Sequence, residues 1–539
     1  MPSVVNSPQT CHLIVLSHGL WGTQEHFSYV EQQLIETLKS KCHEKIFKTY
    51  KTCSNEKFKT YDGIDLCGSR VADEILNVTA HLLQHDNLVV TEFSLIGYSL
   101  GGLIGRFAIG VLTYRKYFEN ITPINFVTFC TPHVGVLTPG NSFSIKCFNN
   151  IVPYLLGNSG KQMFLKDSVY LEDSGESVPL LKLMATENSI FMQGLKMFRN
   201  HALYSNVRSD IRTSWWTSGI SYINPFEILD KNPNVVIDNY GFINFSQGSK
   251  FSLSFIDNYN PTIIDMNKPI HFQGLIDYES EKDMKKTKVP KVNTEENYID
   301  NFIVRKLKWL TVLFNTFIYV PMWTIWFILF NILQLFNSFF RVNREASKLK
   351  DNCSIYQLVE TVSQAIDSVS TTPNLKPTIS RTLSGGGYVE LSKLENDLHD
   401  QGDFFLDSVF DAVTSSKTPN QSIFNQEKIG DLTLSTSLTK ICSISIDDIN
   451  DWEKDYKLLA DNKKEAFEYY QLLKPFKMNM SLMQRDIISN LNKLNWKKHP
   501  IYITNTNSTH AAAIVRHQDP TFEEGKIVVA HFCNEIFVH

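Results

Sequence analysis

Apolar runs alternate with amphipathic stretches through the first two fifths of the chain. The runs His12 to Ser17, Ile46 to Tyr50, Phe93 to Ile96, Ile124 to Cys130 and Ala202 to Val207 read as strands. Between them Phe27 to Leu38, Val71 to Leu83 and Leu103 to Leu112 carry apolar residues at helical spacing. Near the other end, Ser481 to Asn495 predicts one more amphipathic helix and Ile501 to Thr504 a further strand. Strands separated by helices of ten or more residues predict a mostly parallel sheet with helices on both faces. In such sheets ligands bind at the carboxyl ends of the strands, a rim that His18, Ser99 and His133 would share.

One turn carries a chemical signature. The strand ending at Ile96 runs into Gly97-Tyr98-Ser99-Leu100-Gly101, a G-x-S-x-G pentapeptide with a helix behind it. Strand, tight turn and helix are the context in which this pattern is a nucleophile elbow of an α/β-hydrolase fold. The turn forces the serine backbone into a cramped conformation, so side chains at Gly97 and Gly101 would collide with their surroundings. The helix start aims its first amides at any anion forming beside Ser99 Oγ. The first strand also ends in a glycine-rich turn, His18-Gly19-Leu20-Trp21-Gly22. In a hydrolase sheet this loop gives one oxyanion-hole amide and the residue after the nucleophile gives the other, here the backbone N–H groups of Leu20 and Leu100. His18 is expected to shape its loop through hydrogen bonds rather than to move protons.

Composition narrows the choice. At 539 residues and 43% hydrophobic content the chain can bury a sizeable core and hold more than one unit. A net charge of -4 offers no basic field for nucleic acid. The nine cysteines form no C-x-x-C pair, which argues against a disulfide framework and a zinc site, and no metal or organic cofactor is expected. The polar opening residues do not read as a secretory signal peptide.

The set His18 to Gly22, Thr60 to Asp65 with Arg70, Gly97 to Gly101, and Thr131 to Gly135 resembles the fungal serine esterase (lipase-like) family, over roughly the first 220 residues and the last 60. Its members include a budding-yeast lipid-droplet phospholipase and relatives acting on monoacylglycerol. The family's elbow often has histidine where this chain has Tyr98, a supporting position. A serine nucleophile needs a base oriented by a carboxylate, in the chain order nucleophile, acid, histidine. The family's acid follows a Tyr-x-Asn strand, matched by Tyr204 and Asn206, and the resemblance therefore implies Asp210. The closing signature of histidine, small apolar residues and arginine implies His510, with Ala511 to Ala513 and Arg516 behind it. The implied catalytic set is Ser99, Asp210 and His510. Its implied substrates are glycerolipid esters, phospholipid first and monoacylglycerol second. The implied location is a lipid droplet or the cytosolic face of the endoplasmic reticulum.

The middle of the chain breaks the pattern. From Trp309 to Phe340 there is no Asp, Glu, Lys or Arg, and aromatics are dense. The run exceeds the ~20 apolar residues a membrane span needs. Lys and Arg flank both ends, which favours both on the cytosolic side. A single span would also separate Ser99 and Asp210 from His510. The expectation is a re-entrant hairpin or interfacial helix pair broken at Pro321, lying in one leaflet. The predicted organisation is a first catalytic part over 1–225, an insertion and charged linker over 226–300, the membrane hairpin over 301–345, a Ser/Thr-rich linker over 346–425, and a second catalytic part over 426–539. Two rival readings are a non-catalytic membrane tether and an esterase or acyltransferase for small or protein-linked acyl groups.

Overall fold

The computed structural model describes residues 7–140, 143–170, 177–210, 213–226, 242–244, 250–269, 271–273, 329, 331–345, 437–442, 478 and 480–539. Most of the charged linker, the first arm of the expected hairpin and the Ser/Thr-rich linker lie outside them. Six strands make the main sheet: β1 (Gln9–Ser17), β2 (Ile46–Lys51), β3 (Leu88–Tyr98), β4 (Thr122–Phe129), β5 (Asn200–Asn206) and β6 (Trp496–Ile501). Their order is β6-β5-β4-β3-β1-β2, and every adjacent pair is parallel. The mostly parallel sheet read from the alternating pattern is therefore present.

Alternation along the strands sorts side chains to two cores, as a sheet covered on both faces requires. Leu13, Val15, Phe93 and Leu95 face one core, with helices α2 (Ile64–His85) and α3 (Leu100–Tyr114). Ile14, Leu16, Ile96 and Tyr98 face the other, with α1 (Ser28–Lys41) and residues of the C-terminal helix Glu523–His531. Register then aligns the strand ends: Ser17 pairs with Gly97, Tyr98 with Phe129, Phe129 with Tyr204, and Asn206 with Ile501. The loops after β1, β3, β4, β5 and β6 thus leave from one rim.

Two boundaries differ from the sequence reading. The last strand lies at Trp496–Ile501 rather than at 501–504. It is an edge strand rich in lysine, which weakens its apolar signal, and Pro500 is tolerated there because an edge leaves N–H groups unpaired. Tyr502 and Ile503 are buried beyond its end. Part of the expected insertion also packs on the catalytic body. Leu253, Ile264 and Met266 join Val207, Trp215 and Tyr502 in a third apolar cluster, and Ile263 forms an antiparallel bridge with Ile501. The helix predicted over 481–495 runs Leu482–Leu491 and starts with a capping box between Ser481 and Gln484.

Helices α2 and α3 meet where Gly68 faces Phe107: a Cβ at Gly68 would lie 2.6 Å from the Phe107 ring. In an exposed helix, Gly→Ala stabilises by roughly 0.5–1 kcal/mol. Here overpacking wins, and Gly68→Ala is expected to destabilise by about 1–3 kcal/mol in urea unfolding. A stabilised variant would contradict the close packing.

A second expectation concerns acid. His531 Nδ1 accepts from Tyr204 Oη at 2.7 Å, and the His499 ring stacks on Tyr204. Burial lowers His499 to about 3 and His531 to about 4. Both are neutral when folded and take up protons when unfolded, so their stability contribution is complete above the ordinary histidine value. It is lost progressively as pH falls below ~6.5. Each contributes a loss on the order of 1 kcal/mol by pH ~5.5. Urea unfolding at the two pH values checks this, and a His531→Phe protein should show the shallower dependence.

Candidate active site

Ser99 sits at the tip of the central strand β3 with φ 55° and ψ -128°, a conformation costing on the order of 1–3 kcal/mol for a residue with a Cβ. Close packing on all sides holds it there. A Cβ at Gly97 would strike the Gly102 backbone, one at Gly101 the carbonyls of Ser17 and His18, and one at Gly102 the Thr131 side chain. Ser99 N–H donates to Phe129 O at 2.8 Å, tying the elbow to the end of β4. The glycines flanking the serine in sequence are therefore the points where β1, β3 and α3 touch.

The loop after β1 lies directly against the serine. A Cβ at Gly19 would fall 2.7 Å from Ser99 Cβ and 3.3 Å from Ser99 Oγ. Trp21 N–H donates to Thr60 Oγ1 at 3.1 Å, and His18 Nδ1 bonds Gly19 O at 3.1 Å, so the loop is braced from two directions. Leu20 stands between these braces, and Leu100 opens α3 with its amide at the helix start. Burial lowers the pKa of His18, which keeps the ring neutral and suits the loop-shaping role. His133 is also buried, with Nε2 on Thr128 Oγ1 and its carbonyl accepting from Arg106, inside the body rather than open to the rim.

Asp210 and His510, 300 residues apart, meet across the rim. His510 Nδ1 donates to Asp210 Oδ2 at 2.9 Å. Oδ2 also accepts from Asn206 Nδ2 and Thr213 Oγ1, both at 3.0 Å, and Oδ1 accepts from Thr213 N–H at 2.9 Å. Burial alone would raise the Asp210 pKa, but the His510 charge and these hydrogen bonds outweigh it and hold the carboxyl below its usual range. His510 stands in the short helix Thr509–Ala512 after β6. Its carbonyl accepts from Tyr98 Oη at 3.1 Å, and the two rings pack at 5.1 Å. Tyr98, the residue before the serine, thereby links the elbow to the histidine loop.

Three neighbours escaped the sequence reading. Asn206 was legible only as part of a strand signature, and Thr213 gave no signal, since its role depends on the turn after β5. Cys130 is the third: Cys130 Sγ, the Asp210 carboxylate and a His510 ring nitrogen lie within 4.8 Å of one another. Burial and the nearby carboxylate push the thiol well above its ordinary pKa, so it stays protonated, while Asp210 and His510 are engaged with each other.

An all-parallel sheet with a strained serine at the tip of its central strand and an Asp–His pair across the same rim defines an α/β-hydrolase-type domain. Residues 7–220 match the family model described as "Putative serine esterase (DUF676)". The "Putative lipase ROG1" of Saccharomyces cerevisiae is 28% identical over 238 residues, covering 43% of this chain and 32% of the yeast protein. The "Putative lipase C4A8.10" of Schizosaccharomyces pombe is 28% identical over 219 residues, covering 39% and 26%. The chain thus spans about a third or less of the length of these curated relatives. A solved lipase-esterase related protein from Clostridium acetobutylicum is 16% identical with a TM-score of 0.22, covering 41% of this chain and 82% of that one.

Gly19→Ala tests the contact between loop and serine. It is expected to slow labelling of Ser99 by a fluorophosphonate at least about tenfold, because a 1 Å shift near the reacting atoms carries a penalty of that size or more. Labelling at the unaltered rate would mean that the loop does not constrain Ser99.

Proposed function

We propose that this chain is a serine carboxylic-ester hydrolase of lipase type that cleaves acyl esters of glycerolipids. The observation that carries the reading is the strained Ser99 on the rim that also holds the Asp210–His510 hydrogen bond. In the proposed mechanism His510 Nε2 takes the proton of Ser99 Oγ, while Asp210 fixes the Nδ1–H tautomer and stabilises the imidazolium. Ser99 Oγ attacks the ester carbonyl, and the amides of Leu20 and Leu100 receive the developing oxyanion. His510 then protonates the leaving alcohol. Water, deprotonated by the same imidazole, releases the fatty acid and restores Ser99. No cofactor enters this scheme.

Phospholipid is the first substrate proposed and monoacylglycerol the second, at a lipid droplet or the cytosolic face of the endoplasmic reticulum. Support comes from the family resemblance and from the charge-free run 309–340. That run lies between Asp210 and His510, which the fold joins at 2.9 Å, so both of its flanks must lie on one side of any membrane it enters. No helix among the described residues is long and apolar enough to cross a membrane, and a hairpin within one leaflet needs none.

Fatty acid release by the purified chain, with Ser99→Ala as the blank, tests the function. The substrates are phosphatidylethanolamine and phosphatidylcholine liposomes and a monoacylglycerol emulsion. Release from liposomes is expected to fall at least about a thousandfold in Ser99→Ala. Release from monoacylglycerol alone would keep the mechanism and change the substrate. A wild type indistinguishable from Ser99→Ala on every lipid, together with no fluorophosphonate labelling, would favour a tether that kept the fold without the chemistry.

A further inference from the structure

Residues 331–345 form a helix whose two faces have opposite characters. Asn331, Ser338, Arg341 and Glu345 recur at the spacing of one helical stripe, and all four are spent on the catalytic body. Tyr61 Oη donates to Asn331 Oδ1 at 3.0 Å, and Ser338 Oγ donates to Asp62 Oδ1. Arg341 bonds both oxygens of Asp62, at 3.1 and 2.9 Å, and also the Phe58 carbonyl. Arg70 grips Asp62 at 2.8 Å from the other side and reaches Glu345 at 2.7 Å. The Asp62 carboxylate, fully buried, is thus clamped between two guanidinium groups. Thr60, Tyr61 and Asp62 are the motif residues to which the sequence assigned no role.

The opposite face is exposed among the described residues. Leu329, Ile332, Leu333, Phe336, Phe339 and Phe340 are each more than half exposed. So many large apolar side chains on one short helix form a patch that a soluble surface ordinarily avoids. The helix Phe143–Leu155 adds exposed Phe143, Ile151 and Tyr154. It leads into the helix Gly157–Met163, whose Asn158 and Lys161 line one crevice with Asp62 and Val342. The 331–345 helix and the helix Gly157–Met163 therefore border the crevice beside Asp62.

We propose that the 331–345 helix is a lipid-docking face, locked to the catalytic rim by the Asp62 clamp, and that its occupant is the surface of a lipid layer. The exposed stripe continues the charge-free run that begins at Trp309, far longer than a protein-binding helix requires. The clamp gives the docking a direction. Tyr61 and Thr60 sit in the turn that holds Asp62, Thr60 accepts from Trp21 N–H, and that loop abuts Ser99. A lipid layer seated on the helix is thereby held at a fixed attitude to the loop over the serine. The proposal deepens the hydrolase reading by naming the surface from which its ester would be drawn, but docking can be measured without turnover.

The full chain carrying Ser99→Ala is mixed with phosphatidylcholine–phosphatidylserine vesicles and sedimented. Ser99→Ala protein is expected to pellet with the vesicles. Adding Phe336→Glu and Phe339→Glu should weaken partitioning at least about tenfold, the scale set by withdrawing two phenylalanines from an apolar phase. Adding Leu482→Glu instead, at an exposed leucine on another helix, should leave it unchanged. Equal melting temperatures would exclude misfolding as the cause. The proposal is overturned if the Ser99→Ala chain stays in solution. It is also overturned if the phenylalanine variant pellets as well as its parent, or if Leu482→Glu weakens binding equally. Vesicle binding that follows the expected pattern, when the chain with Ser99 intact shows no esterase activity, would sink the hydrolase reading and leave the docking face standing.

Discussion

The arrangement depends on the backbone of Ser99. A residue with a Cβ is kept at φ 55° only because everything around it is in contact: glycines on either side let β1, β3 and α3 close to backbone distance. The strain is small beside the burial that opposes its release, since α3 is buried from Leu100 to Leu112 and is covered by the sheet and by α2. Relaxing the turn would move the start of that helix and open the core on both sides. The same constraint fixes the Leu100 amide and presses Gly19 against the serine, so nucleophile and candidate anion donors are set by one piece of packing.

The second long-range constraint is the Asp210–His510 pair. Its partners lie 300 residues apart in sequence, yet they occupy neighbouring strand ends because β5 and β6 pair in parallel from Trp496↔His201 to Ile501↔Asn206. Loop-closure entropy grows only logarithmically with length, so the sheet can tolerate an intervening segment of this size. What it cannot tolerate is a change of side. The pair therefore constrains the topology of everything between its members, the charge-free run included. In the part of that run described in the structure, the polar stripe bonds Asp62 and the apolar stripe faces away.

Local pattern made several elements legible. The strand runs, the helix spacing and the G-x-S-x-G turn depend on residues adjacent in sequence, and they lie where periodicity put them. The last strand was displaced because an edge strand carrying Lys497, Lys498 and Pro500 lacks the apolar signal of a buried one. Asp210 and His510 were reachable only through family resemblance, since neither loop carries a local pattern that distinguishes it from other polar loops.

The sequence by itself determined the strained serine and its glycine neighbours, because these are properties of short-range sterics and spacing. Tertiary structure alone decided which acid meets which histidine and that Arg341 is brought to Asp62. Each of those contacts joins loops from different strands or a helix from the insertion. Their distances are set by sheet register and helix docking, quantities that no local stretch of residues contains.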